Sequence, residues 1–522
     1  MRMPREGSIA RRLDPTGAGD IEGPMAHRAA RGFVFTTAQA VGSKALTIVG
    51  QIILAWLLLR EDFGLIGLAY TIVTVISLIQ QAGIREILIQ RGRQFRRWAN
   101  AGFWMSLALG LGGSLIMVAL TPAAAWFYEE PRLIGIVAVL ALGNLIHTLT
   151  IVPQARLQID LNFPLLAYTG LLAAAVSVGA SILFALLGFG AYSFALPVPL
   201  SQFVRLVFLW VAARPPIQPN PQFRRWRFML TDSGLLIAIM AMYAVTAQGD
   251  YIILGRMFPP EIVGLYYWAF ALSTQSVQMI ALNLATVLFP SFSLLKDEPQ
   301  RLRDGFLRAA RVLALVSIPA CLLQAAVARP AVHLLFDTRW HDGIVLVQFL
   351  SVGWALFSTA YASDSLLKAQ GRFLTLFLQW TLLAGLFLAC VIIGARTWGV
   401  IGAAAGVTVY AWLAGPLGMF IALRPMGGRW SDVARVFLPP ILAGGLSIAA
   451  GMLVGWVVRA MLPDVGRWPA LIEIIVITAV SAVLFIPAIR LLAAEPWRDL
   501  LGRLSGMRGS TWAPQAGAGG TL

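Results

Sequence analysis

The sequence predicts an all-α, polytopic membrane protein. It should hold two six-helix lobes related by a pseudo-two-fold axis (parallel repeats), plus two C-terminal helices, about 14 transmembrane helices together. Three observations predict this. The 522 residues are 58% hydrophobic and only 12% charged, with a mean hydropathy of +0.77. A soluble domain carries about a quarter charged residues, so this chain cannot cover a water-facing surface. The apolar runs last about 20 residues without period-2 alternation, which suits helices and not a barrel. Finally, a stretch near the start returns about 200 residues later.

Residues 1–31 are Arg-rich, polar and without an apolar core of their own, so they read as a disordered basic cytoplasmic tail and not a cleaved signal. Apolar spans follow at roughly 32–59, 62–84, 98–121, 133–155, 163–187 and 190–213. These form the N-lobe, 32–213. A basic cytoplasmic linker, 214–228, leads to the C-lobe, 229–424. Its spans are 229–254, 261–289, 306–328, 343–367, 373–395 and 399–423. Two more, 433–460 and 469–494, precede a second cytoplasmic tail, 495–522. The stretch "FPSFSLLKDEPQRLRDGFLRAARV" has the pattern of an amphipathic interfacial helix joining two spans.

Charge sets the orientation. With the N-terminus inside, about 29 of the 40 Lys and Arg fall in inside segments. The outside loops keep Arg60, Arg132, Arg256, Arg329, Arg339, Arg396, Arg459 and Arg467. Both termini are therefore expected in the cytoplasm. The same bias accounts for the net charge of +16 without nucleic acid, since no soluble domain presents a basic stripe.

The repeat aligns "QIILAWLLLREDFGLIGLAY" (51–70) with "YIILGRMFPPEIVGLYYWAF" (251–270) without a gap. Ile52, Ile53 and Leu54 fall on Ile252, Ile253 and Leu254; Glu61 falls on Glu261 and Gly64 on Gly264. An even number of spans separates the copies, so the lobes are parallel. Glu261 is then a repeated helix-start residue. Asp250 has no such counterpart, because Gly50 holds its place. It is a candidate for coupling or gating.

Two parallel lobes without a soluble domain suggest a transporter with a cavity between them. Its residues should be those lipid does not tolerate. Lys44 lies near the middle of the first span, where a charge facing lipid costs about 2.5–3.5 kcal/mol. It reads as an anchor for a substrate phosphate or as one half of an interhelical ion pair. Arg205 in the sixth span follows the same logic, with bidentate phosphate geometry. Arg311 in the ninth span is a third cation, or snorkels to the interface. Asp364 is a coupling candidate or a local pair with Lys368. His147 is a packing histidine or a proton relay. Gln80, Gln81, Gln275, Gln278 and Asn283 are candidate sugar contacts, or interhelical hydrogen-bonding residues.

Enzyme chemistry finds no footing. There is no GxxxxGK[ST], HExxH or GxSxG, and Cys321, Cys390 and four scattered histidines make neither a disulfide framework nor a metal set. No cofactor is expected. The loops are too short for the carboxylate-rich outer domain a glycan polymerase or ligase would use.

The run "IILAWLLLREDFGLIGLA…QAGIREILIQR", with "GDYIILGRMFPPEIVGLYYWA", "LLFDTRWHDGIVLVQFLSVG", "LLKAQGR" and "GVIGAAAGV" in order, resembles the oligosaccharide flippase family. This is the polysaccharide-transporter branch of the multidrug/oligosaccharidyl-lipid/polysaccharide (MOP) exporter superfamily. The resemblance covers roughly 32–425. One departure is "ARLQIDLNF" after the fourth span, where relatives often read L-Q-R. The resemblance implies the MOP flippase fold in a bacterial inner membrane. It implies movement of undecaprenyl-diphosphate-linked oligosaccharide from the inner to the outer leaflet, with a polymerase and co-polymerase as further partners. It also implies basic residues in the N-lobe cavity, a placement Lys44 matches. A drug or cation antiporter on the same fold would carry cavity carboxylates, and a peptidoglycan-precursor flippase would differ in head group.

Overall fold

A computed structural model describes residues 39–81, 84–90, 94–226, 234–275, 283–462 and 467–492. The expected tails 1–31 and 495–522, and part of the linker, lie outside these residues. Among the described residues the secondary structure is helical, with no strand. In the N-lobe, α1 is Gln39–Leu57, α2 Arg60–Gln81, α3 Ile84–Gln90, α4 Phe95–Tyr128, α5 Leu133–Thr148, α6 Ile151–Ile159, α7 Phe163–Leu186, α8 Tyr192–Ala195 and α9 Pro197–Ala213. The C-lobe holds α10 (Gly234–Met257), α11 (Pro260–Ser273), α12 (Asn283–Leu294), α13 (Pro299–Leu335), α14 (Ile344–Phe357), α15 (Ala360–Ala369) and α16 (Phe373–Leu423). Two helices follow, α17 (Trp430–Met461) and α18 (Trp468–Leu492).

The described residues give 12 helices long and apolar enough to cross a membrane. Two of the 14 expected spans are not counted separately among these 12. The spans expected at 373–395 and 399–423 are the two helical arms of α16, which doubles back between them at Trp398 (φ −130°, ψ 25°) and Gly399 (φ 62°, ψ −143°). Its arms then close on each other. A Cβ on Gly394 would stand 2.6 Å from the Gly402 carbonyl carbon, so only glycine allows that approach. The middle of the span expected at 261–289, residues 276–282, lies outside the described residues, and its two ends are α11 and the start of α12. The expected interfacial helix is not a separate element: its second half forms the first turns of α13, where Leu302 and Phe306 are buried and Arg303 pairs with Asp432 at 2.9 Å.

Local signals start the paired helices as the repeat implied. At α2 the Asp62 carboxylate accepts from Leu59 N (3.0 Å), with Glu61 beside it in the first turn. At α11 the extended Pro259 precedes Pro260 at the first helical position, with Glu261 in the first turn.

These two helices join the lobes. Gly64 faces the Pro260 carbonyl, and Gly264 faces the Arg60 carbonyl. Each glycine of the repeat thus packs on the start of the other lobe's equivalent helix. That reciprocity is the mark of a two-fold contact. One step along, Gly67 packs on Tyr267, and Tyr70 stacks on Tyr267 with ring centroids 6.5 Å apart. One continuous buried core crosses this junction. Outward faces carry exposed Leu, Val, Ile and Trp, such as Leu115, Leu382, Leu453 and Trp456, as lipid contact requires.

Candidate functional site

A cavity of about 350 Å³ opens between the lobes, with a wall assembled from the repeat. α1 contributes Lys44, Thr47 and Gln51, and α2 contributes Gly67, Tyr70 and Thr74. Both sets have i, i+3, i+7 spacing, one stripe of a helix. The C-lobe answers 200 residues later with Ala247, Tyr251, Tyr267, Phe270 and Thr274. The pseudo-two-fold axis therefore passes through the cavity, and the pairs Thr47/Ala247, Gln51/Tyr251, Gly67/Tyr267, Tyr70/Phe270 and Thr74/Thr274 face each other across it.

Departures from the symmetry stand out. Lys44 has Ala244 as its counterpart, Gln248 has Ile48 and Gln275 has Val75. Lys44 is the only charged side chain among the described residues lining the cavity. Gln275 donates to the Ala271 carbonyl (2.7 Å) and to Gln51 Oε1 across the lobe boundary (3.4 Å). Gln248 Oε1 is buried without a hydrogen-bond partner. The site offers one cation, neutral amides and aromatic faces, a set suited to an anion carrying hydroxyl-rich groups.

The cavity is sealed at the end where α1 meets α2. Arg60 pairs with Asp342 at 2.8 Å and Arg256 with Glu129 at 3.2 Å, each across the lobe boundary. Trp340 is fully buried, stacks on Trp268 (4.8 Å), and donates from Nε1 to the Ala55 carbonyl of α1 (2.9 Å). Trp56 donates to the Leu335 carbonyl (2.7 Å), and Arg339 reaches the Leu58 carbonyl (3.2 Å).

The other expected residues divide. Asp250 is 1% exposed and lies behind Tyr251: Tyr266 Oη donates to it at 2.7 Å, and Tyr251 N at 2.9 Å. It braces α10 on α11 and does not line the cavity. Arg205 lies within the N-lobe, donating to Gln154 Oε1 (3.2 Å), with its Nε buried and unpartnered. His147, close by, contacts Gln202 Oε1 (3.3 Å). Arg311 is half-buried on α13, away from the cavity wall. Asp364, on α15, accepts from Trp380 Nε1 at 3.2 Å.

Gln80 takes the interhelical alternative. Its Nε2 donates to the Leu109 and Gly110 carbonyls (3.0 and 3.2 Å), and its Oε1 accepts from Asn144. The Gln81 and Asn283 side chains, and Gln278, lie outside the described residues. Sequence reading missed the tyrosines and threonines of the wall. The gapless 200-residue offset, carried from 51–70 back to 44–50 and on to 74, would have found them.

The family model described as "Polysaccharide biosynthesis protein" matches residues 53–345. The chain belongs to that family. Among its relatives, the "Succinoglycan biosynthesis transport protein ExoT" of Rhizobium meliloti (strain 1021) is 24% identical over 475 residues, 89% of this chain and 92% of the relative. The "Lipopolysaccharide biosynthesis protein WzxC" of Escherichia coli (strain K12) is 23% identical over 399 residues, 73% and 78% of the two chains. In fold, the chain matches the "Lipid II flippase MurJ, inward closed conformation" with a TM-score of 0.68 at 12% identity, covering 90% of this chain and all of that one. It also matches an inward-facing multidrug resistance MATE family transporter of the MOP superfamily, with a TM-score of 0.61 at 15% identity over 74% and 94%. The fold is that of the MOP superfamily, in a multi-pass membrane protein.

Proposed function

We propose that this protein flips an undecaprenyl-diphosphate-linked oligosaccharide from the inner to the outer leaflet of a bacterial inner membrane, for surface or exopolysaccharide synthesis. It is a transporter and not an enzyme. The observation that carries the reading is Lys44, a cation in mid-span that lines the cavity between two symmetry-related lobes. A diphosphate crossing hydrocarbon needs a cation beside it. The relatives' names, for transport and biosynthesis of succinoglycan and lipopolysaccharide, point to the same cargo. The wall supports this over drug or cation antiport, because its charge is positive among the described residues and Asp250 is occupied by Tyr266.

In this mechanism the lobes rock against each other, and the Gly64/Gly264 contact belongs to the sealed state. The sealed end faces the periplasm, as the basic-residue bias implies, and cargo enters from the cytoplasmic side. Lys44 holds the diphosphate, and the lipid tail stays in the bilayer. Parting of the Arg60–Asp342 and Trp340–Ala55 contacts then exposes the cavity to the periplasm. There a polymerase and its co-polymerase take over the product.

The test is complementation of a strain lacking the gene. Lys44→Ala should abolish polymer export at unchanged membrane abundance, and Lys44→Arg should be milder. Normal export by the alanine variant would refute the phosphate-anchor role.

A further inference from the structure

A second chamber, of about 190 Å³, lies inside the C-lobe and adjoins the inter-lobe cavity, with Ala247, Phe270 and Thr274 lining both. Its character differs from the first. Tyr243, Trp354, Phe357, Tyr361, Phe387 and Tyr410, from α10, α14, α15 and α16, turn ring faces and edges toward it. The rings hold one another: Phe387 meets Tyr410 edge-on at 5.0 Å, and Trp354 meets Phe357 edge-on at 5.2 Å. Its lining departs from the pseudo-two-fold at this position, since α1 carries Ser43 where α10 carries Tyr243.

Simple core packing does not explain two of these rings. Tyr410 Oη and Trp354 Nε1 are buried without a hydrogen-bond partner. An unmade hydrogen bond on a buried polar atom is costly, and such groups are normally satisfied. The chemistry of the two atoms selects the guest. Indole Nε1 only donates, so it needs an acceptor, which a cation cannot supply. The nearby carboxylate, Asp364, accepts at Oδ2 from Trp380, whose ring packs edge-on against Tyr243 at 5.2 Å; its Oδ1 is buried without a partner, and the residue is not on the chamber wall. A guest with apolar faces for the rings and oxygens that both accept and donate meets every requirement. A pyranose ring is such a guest, and the chamber has room for one.

We propose that the C-lobe chamber receives a sugar ring of the lipid-linked cargo while Lys44 holds its diphosphate. This deepens the flippase reading and rests on it. The chamber makes the C-lobe the sugar-reading half and α1 the phosphate-holding half. A preference among sugars would then arise from Tyr410 and Trp354.

The test uses the full-length protein in lipid nanodiscs. Binding of radiolabelled undecaprenyl diphosphate is compared with that of the same lipid bearing one glucose or galactose. Wild type should bind at least one sugar-linked lipid about tenfold more tightly than the bare lipid, the yield of one or two hydrogen bonds. Tyr410→Phe removes only the hydroxyl, and Trp354→Phe keeps an aromatic ring, smaller than the indole, while removing Nε1. Each should lower affinity for the sugar-linked lipid about threefold or more and leave the bare lipid unaffected. Lys44→Ala should weaken both lipids alike. A sugar margin that survives in the double phenylalanine variant would overturn the chamber assignment, as would wild type with no margin over bare lipid. So would binding of tetramethylammonium that these variants abolish, since that marks a cation site. If wild type bound neither lipid, the flippase reading would fall together with the chamber.

Discussion

Substitution of Gly64 by alanine probes the lobe junction directly. The added Cβ would stand 2.7 Å from the Pro260 carbonyl carbon and nearer still to its oxygen. Ordinary carbon contacts lie at about 3.5–4.0 Å, so α2 and α11 must part by about 1 Å. Both obstacles are backbone, so no rotamer change relieves them. Overpacking of this kind costs about 1–3 kcal/mol. If the contact belongs only to the state sealed at the Arg60 end, the variant shifts the balance toward the opposite state about 5- to 150-fold. Double electron–electron resonance between labels on Phe189 and Trp398, exposed residues of the N-lobe and C-lobe, reads the separation of the lobes. Gly64→Ala should move the distance distribution to longer values and slow export. Gly112→Ala, with open space around its Cβ, serves as the control and should change neither. An unmoved distribution with normal export for Gly64→Ala would refute the two-fold contact as a moving junction.

Other substitutions separate the seal from the scaffold. Trp340→Phe leaves the Ala55 carbonyl without its donor and should favour opening by about 1–2 kcal/mol on the same label pair. Arg60→Ala removes a pair whose Asp342 partner is 73% exposed, so it should shift the distances far less, by at most about 1 kcal/mol. Gln80→Leu should lower the thermal unfolding midpoint in detergent and leave sugar preference unchanged, because its amide bonds α4 and Asn144 and not the cavity.

Much of this architecture was legible because lipid enforces simple rules. Spans must be apolar and helical, so their limits show in the sequence, and Lys44 stood out as a charge that lipid does not tolerate, left to a cavity or an interhelical ion pair. The Glu61/Glu261 and Gly64/Gly264 matches gave the two-fold relation, and Gly64 and Gly264 then met at the junction itself. Other features depended on which face a helix turns inward, which apolar surroundings on every side conceal. Gln80 and Gln275 look alike in sequence, yet one bonds a neighbouring helix and the other lines the cavity. Arg205 and Asp250 were legible as intolerable to lipid, but protein interior satisfies that demand as well as a cavity does. The C-lobe chamber draws on residues from 243 to 411, so no local pattern reveals it. The reversal at Trp398–Gly399 falls at the expected break between the spans 373–395 and 399–423.

The central claim is that cargo crosses between the lobes with its diphosphate on Lys44. Purified protein in proteoliposomes, with undecaprenyl-diphosphate-linked oligosaccharide placed in one leaflet, tests this most directly. Arrival of the sugar in the opposite leaflet is scored by an impermeant lectin. The account predicts that wild type speeds arrival and that Lys44→Ala does not, although it reconstitutes equally well. Arrival no faster than in protein-free vesicles, or equal rates for wild type and Lys44→Ala, would contradict it.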